Sequence, residues 1–212
     1  MPCEVTPVSD NVLASGEILE RDGAIVNAPV HSDAAAVRTS QLTVLGLLAT
    51  VGMLFAGFAS AYLVRREGTD WMREQLPAIL KLNTILLLAS SAALEAARWA
   101  RGRDQSKSLR VWVAASAVLG LTFLGGQVEA WRQLTARGVY LPSSPYSSFF
   151  FVLTAVHGVH LLGGIVALVF LLWRVYQSQS ILAETGVLDG CATYWHFVDG
   201  IWVLLYLLLL FY

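Results

Sequence analysis

The sequence predicts an all-α integral membrane protein, a bundle of five transmembrane helices with its N-terminus inside and its C-terminus outside. Three observations carry this expectation. Of the 212 residues, 56% are hydrophobic and only 14% charged, too little charge for the surface of a water-soluble domain. From Gln41 onward, apolar stretches long enough to cross roughly 30 Å of hydrocarbon alternate with charged loops. Six of the seven tryptophans, Trp71, Trp99, Trp112, Trp131, Trp173 and Trp195, fall at or just beyond an expected helix end, where an indole ring prefers the headgroup boundary.

Residues 1–40 form a polar, acidic N-terminal tail, with Glu4, Asp10, Glu17, Glu20, Asp22 and Asp33 against only Arg21 and Arg38. It has no apolar segment behind a basic start and no Arg-rich, acid-poor character, so it reads as neither secretory signal nor transit peptide. The mature chain is expected to begin near Met1. The transmembrane domain is expected over 41–212, with spans at about 41–64, 77–99, 111–131, 147–173 and 192–212. Pro77 stands at a helix start, where its missing N–H costs nothing. Trp202 alone falls well inside a span.

Orientation follows from Lys and Arg, which short cytoplasmic loops retain. With the N-terminus inside, the inner side holds eight basic residues against six outside, and the segment from Arg98 to Arg110 supplies five of them. There is no internal repeat and no inverted pair of broken helices of the kind that builds a secondary transporter. A net charge of -1 and the lack of a basic stripe interleaved with aromatics set nucleic acid aside. Cys3 and Cys191 are too few and too far apart for a disulfide framework or a thiolate metal site.

An ionisable side chain in hydrocarbon costs at least a few kcal/mol, so polar residues inside the spans should face protein, headgroups or water. On the fourth helix His157, His160, Gly164 and Ala167 share one face; on the fifth His196, Asp199, Val203 and Tyr206 repeat the spacing. The second helix aligns Thr84, Leu88, Ser91, Glu95 and Arg98. The third aligns Thr122, Gly125, Gly126 and Glu129, with Gln127 pointing elsewhere. The first carries a small-residue stripe, Ala49, Gly52, Ala56 and Ser60, and no carboxylate.

Imidazole and carboxylate suit a transition metal, which makes a cage of His157, His160, His196 and Asp199 the tempting reading. Depth argues against it: counting residues along the helices separates His196 from the other histidines by on the order of 10 Å, whereas all donors must lie within about 2 Å of one ion. The simpler expectation is that each His hydrogen-bonds a neighbouring helix and that Asp199 pairs with a donor such as His196. Glu95 and Arg98 then form an interfacial ion pair, and Glu129 anchors at the opposite boundary. No nucleophile with an adjacent base, phosphate loop or zinc-protease motif is present in the sequence. Two rivals stay open: a stand-alone transporter whose path is lined by His157, His160, Glu95 and Asp199, and an integral metalloenzyme.

At these residues the chain resembles a known family. The run Tyr194-Trp195-His196-Phe197-Val198-Asp199, with Trp202 behind it, is similar to the YWHFVD..W last-helix signature of cytochrome c oxidase subunit III and its haem-copper oxidase relatives. Ser148-Phe149-Phe150-Phe151 with Thr154 and His157-Gly158-Val159-His160 resembles the family's FF..T..HG.H helix. Leu82-Asn83-Thr84 with the segment from Leu88 to Ser91 resembles its LNT..LL.SS helix, and Gln127, Glu129 and Trp131 resemble its Q..E(Y/W) segment.

The resemblance implies a short, five-helix bacterial form: a multi-pass subunit of the inner membrane that packs beside catalytic subunit I, which carries haem and copper, and subunit II. It implies support of aerobic electron transport and proton pumping, with tightly held phospholipid. Catalytic, cofactor-binding and metal-binding residues are then absent from this chain, and His157, His160, His196, Asp199, Glu95, Arg98, Gln127 and Glu129 become structural, lipid or subunit contacts. Cytochrome c is the expected electron donor, with a quinol oxidase or a nitric oxide reductase accessory subunit as alternatives sharing the same motifs. Two departures stand out. Long members have two further N-terminal helices enclosing a lipid-filled cleft, and their intramembrane glutamate on the first shared helix falls at Val51 here.

Overall fold

The computed structural model describes residues 20–21, 24–25, 30–72, 74–103, 105–177 and 185–211, with side chains from Leu42 onward. The chain divides into two compact units, Met1–Arg38 and Thr39–Tyr212. In the first, the described residues include a two-stranded antiparallel ladder of β1 (Glu20–Arg21) and β2 (Ala24–Ile25), Glu20 opposite Ile25 and Arg21 opposite Ala24. Most of the acidic tail expected over 1–40, with Cys3, lies outside the described residues.

The remaining elements are helices: α1 (Val30–Arg65), α2 (Ile79–Gly102), α3 (Ser106–Ala136), α4 (Pro145–Gln177) and α5 (Thr185–Phe211). All five are long and apolar enough to cross a membrane, as the five-span reading requires. Most overrun the apolar stretch that predicts them. The apolar span expected at 111–131 lies within an α3 that starts at Ser106 and ends at Ala136, and α5 starts at Thr185 rather than near Ala192. Hydropathy marks the stretch that hydrocarbon requires, whereas backbone hydrogen bonding carries the helix on through polar residues such as Lys107 and Arg132. Pro77 stays outside α2, its carbonyl accepting from Leu80 N at 3.1 Å.

Within the second unit α2 packs on α3, α3 on α4, α4 on α5, and α5 returns to α2, closing a ring. The connection 103–105 between α2 and α3 is short, which makes them antiparallel neighbours. The end of α3 is a Schellman turn: Gly138 takes φ +81°, Val139 N donates to Leu134 O and Gly138 N to Thr135 O, each at 3.0 Å, a conformation glycine adopts without steric cost.

Lipid tails are as apolar as leucine, so helices in a bilayer associate through close packing and interhelical hydrogen bonds rather than through burial from water. The inward face of α2 accordingly mixes Leu80, Leu87 and Leu94 with Asn83 and Ser90. Among the described side chains of α1, Leu48, Val51, Phe55 and Tyr62 are buried. The small-residue stripe is a different face: Ala49, Ala56 and Ser60 are exposed, and only Gly52 meets a neighbour closely, its Cβ position lying 3.3 Å from Phe197.

Candidate functional site

The inward face of α5 consists of Trp195, Val198, Asp199 and Trp202, all buried, at the i, i+3, i+4, i+7 spacing that keeps side chains on one face of a helix. Trp195 stands near an expected span end, but α5 begins seven residues, about two turns, before its apolar run, and the ring is buried inside the bundle. Two glycines make room for it. A Cβ on Gly120 of α3 would stand 2.8 Å from the Trp195 ring, and one on Gly164 of α4 would stand 2.9 Å away. The indole N–H donates to Ser90 Oγ at 3.1 Å, and Ser90 Oγ donates to Ser116 O at 2.9 Å, so one tryptophan ties α5 to α2 and, through Ser90, to α3. Two turns on, Trp202 Nε1 donates to Thr84 Oγ1 at 3.1 Å.

On the flank of this face, α2 and α5 share a polar seam. Ser91 Oγ lies 2.5 Å from Asp199 Oδ2 and 2.8 Å from His196 Nδ1. The other ring nitrogen, His196 Nε2, lies 3.3 Å from Glu95 Oε2. Arg98 Nη1 donates to both Glu95 oxygens at 3.0 and 3.1 Å, and its Nε donates to Asp189 Oδ1 at 3.1 Å, an oxygen that Arg101 also reaches at 3.1 Å. Glu95 and Arg98 thus pair along α2 at the i, i+3 spacing. Asp199, however, does not bond His196 directly: Ser91 stands between them. Asp189 lies outside the apolar span expected over 192–212; extending the helical period back from His196 by seven residues puts it on the same face.

The two histidines of α4 lie apart from that seam. His157 is fully buried, with its ring centroid 5.0 Å from Trp202, 5.9 Å from Phe123 and 6.3 Å from Phe55. Neither of its nitrogens has a hydrogen-bond partner among the described residues, so the expected bond to a neighbouring helix is replaced by aromatic packing. His160 Nδ1 lies 2.8 Å from Val156 O of its own helix. Here too the neighbour-helix expectation fails for the imidazole, although the His160 carbonyl accepts from Tyr194 of α5 at 3.0 Å. Gln127, expected to point away from the polar face of α3, turns inward with Ser116 and the apolar residues of that helix; it is 3% exposed, whereas Thr122 and Glu129 are exposed. Asn83 of α2 fills the space that Gly126 leaves open. Among the described residues, Glu129 is bonded along its own helix, by Gln133 Nε2 at 3.2 Å and Arg132 at 4.0 Å.

Among the described residues, no three His, Cys, Asp or Glu side chains converge on a point that could hold a metal ion. The four side chains of the tempting cage split into two sets. His196 and Asp199 are taken up by Ser91 and Glu95, and His157 is walled in by rings. This donor set does not fit a copper or haem iron ligated by this chain. At the opposite end of the bundle, Arg65 grips Asp70 with both terminal nitrogens, at 2.7 and 2.5 Å. Those hydrogen bonds hold the exposed Asp70 carboxyl below its ordinary range.

Residues 37–212 match the family model of cytochrome c oxidase subunit III. The chain belongs to that family. A probable cytochrome c oxidase subunit 3 of Mycobacterium bovis is 32% identical over 198 residues, which cover 89% of this chain and 95% of its own length. The cytochrome c oxidase subunit 3 of Thermostichus vulcanus is 34% identical over 179 residues, covering 78% and 85% respectively. The probable subunit 3 of Nocardia farcinica is 32% identical over 186 residues, covering 85% and 91%. In subunit III terms, the residues that carry the family resemblance are those just described: Trp195, Asp199 and Trp202 face the interior, and His196 lies on the polar seam.

Proposed function

We propose that this chain is the non-catalytic subunit III of a bacterial haem-copper oxygen reductase that takes electrons from cytochrome c. In this reading it crosses the inner membrane with its N-terminus inside and its C-terminus outside. It packs on subunit I, which holds the haems and copper, alongside subunit II, binds membrane phospholipid, and supports electron transport coupled to proton pumping in that complex. Subunit membership rests on the family match over 37–212.

The observation that supports a non-catalytic role is the use to which the polar side chains are put. Ser90, Thr84, Ser91, His196 and Thr154 all spend their polar atoms on other helices or their own backbone, which is how buried polar groups hold a bundle together in lipid. Glu95, Arg98 and Glu129 anchor the ends. His157, Gln127 and Asn83 specify packing in the middle of the bundle, and the exposed Ala49, Ala56 and Ser60 face of α1 is available to a neighbouring subunit or lipid.

Purification of the native assembly through this chain tests the reading. Oxidation of cytochrome c by a complex containing haem and copper is the expected result; robust quinol oxidation without cytochrome c oxidation would reassign the electron donor. His196→Leu or Asp199→Leu is expected to lower the yield of assembled complex while leaving turnover per assembled haem unchanged. Solute flux in proteoliposomes containing only this chain, abolished by His157→Ala, would replace the subunit reading with a transporter.

A further inference from the structure

The polar seam carries a hydrogen-counting constraint. Its string runs Asp199 Oδ2, Ser91 Oγ, His196 and Glu95 Oε2, joined by contacts of 2.5, 2.8 and 3.3 Å. Three hydrogen bonds require three hydrogens. A serine hydroxyl supplies one, a neutral imidazole one, and an ionised carboxylate none. With both carboxylates ionised and the imidazole neutral, one of the three contacts would place two acceptors face to face.

We propose that Asp199, Ser91 and His196 form a proton-binding site that holds one exchangeable proton, shared between the carboxyl and the imidazole through the serine hydroxyl. Arg98 donates to both oxygens of Glu95, which fixes Glu95 as the accepting end of the string and orients His196 with Nε2–H toward it. Two registers then satisfy all three contacts. In one, Asp199 O–H donates to Ser91, Ser91 O–H donates to His196 Nδ1, and His196 Nε2–H donates to Glu95. In the other, the Asp199 hydrogen has moved to Ser91 Oγ and the Ser91 hydrogen to His196 Nδ1, leaving an aspartate and an imidazolium. The same hydrogens and the same net charge serve both, so interconversion needs no co-reactant.

Exposure gives the site a direction. Asp199 is 3% exposed and its Oδ1 has no partner among the described residues, so the string ends blind inside the bundle. The side chains of His196 and Glu95 are 36% and 56% exposed, and Glu95 lines an open surface groove with Arg98, Trp99 and Arg101. Protons therefore enter at the Glu95 end. The charged groups packed around that end are Glu95, Arg98 and Arg101 from α2 and Asp189 from α5. In the proposed orientation it faces the inner side of the membrane. Holding a proton there goes beyond the structural role proposed above and does not depend on which complex the chain joins.

Infrared titration of the native assembly in lipid, with isotope-labelled histidine and aspartate in this chain, reads the site directly. In the wild type, the carboxyl signal of Asp199 and the ring signal of His196 should change together, as one coupled site. Ser91→Ala should separate the two midpoints by more than about one pH unit, and Ser91→Thr, which keeps the hydroxyl, should restore the coupling. Independent titration of the two signals in the wild type would overturn the proposal, as would unchanged coupling in Ser91→Ala. The wild-type measurement decides even if a variant fails to assemble. An assembly lacking haem and copper would count against the subunit reading alone.

Discussion

Trp195 occupies the volume that a side chain on Gly164 would fill, with the Cβ position of that glycine 2.9 Å from the indole ring. Neither partner can move cheaply: the ring is anchored through its N–H to Ser90, and Gly164 is part of a continuous helix. Gly164→Ala is therefore expected to destabilise the bundle by about 1 to 3 kcal/mol, the usual cost of overpacking a close-packed site. A lowered thermal unfolding midpoint of the detergent-solubilised protein checks this; Gly57→Ala, on an open position of α1, should leave the midpoint in place.

Trp202 separates the contribution of a hydrogen bond from that of a ring. Thr84 already donates to Leu80 O at 2.9 Å, so losing the indole N–H leaves no donor of Thr84 unpaired. Trp202→Phe should cost at least about 0.6 kcal/mol, the mean for an interhelical hydrogen bond in a membrane, plus the smaller cavity left by the narrower ring. Trp202→Ala also removes the surface against which Phe123 and His157 pack, and should cost about 3 to 5 kcal/mol. Denaturant titration of both variants in the same detergent tests the ratio.

The ion pairs at the Glu95 end contribute little to stability for their number. Arg98, Glu95 and Asp189 have side chains 39%, 56% and 42% exposed, and pairs so accessible to water and salt are worth about 0 to 1 kcal/mol. Arg98→Gln is expected to change the unfolding free energy by less than about 1 kcal/mol, a difference that shrinks as salt is added.

At the other end of the bundle, the bond from Arg65 lowers the titration range of Asp70. A carboxyl whose folded range is depressed adds stability above its unfolded value and loses it as pH falls through the folded one. The turn 66–71 should therefore stay ordered through the usual carboxylate range and loosen only in stronger acid. Amide protection factors of that turn as a function of pH check this; Asp70→Asn should remove the acid step that the Asp70 carboxyl contributes.

Much of this was legible in the chain before any coordinates. The apolar runs locate all five helices, because crossing a bilayer demands length and hydropathy that little else requires. The motif Tyr194 to Asp199 points to the family. The pairing of Glu95 with Arg98 follows from i, i+3 spacing on one helix. Other features were not legible. Nothing local distinguishes Gln127, turned inward, from Glu129, turned outward, because both lie on a helix with small residues on more than one side. Asp189 was hidden by a boundary drawn at the end of hydropathy rather than at the end of the helix.

The number of helices, their approximate spans and the family follow from composition and residue order along a single chain. Which side chains meet is set by how the helices pack: Trp195 in the slot of Gly120 and Gly164, Ser91 between His196 and Asp199, and His157 among aromatic rings. Those meetings depend on the rotation and depth of one helix against another. A few ångströms of sliding would exchange one partner for the next, and packing across the whole interface selects among them.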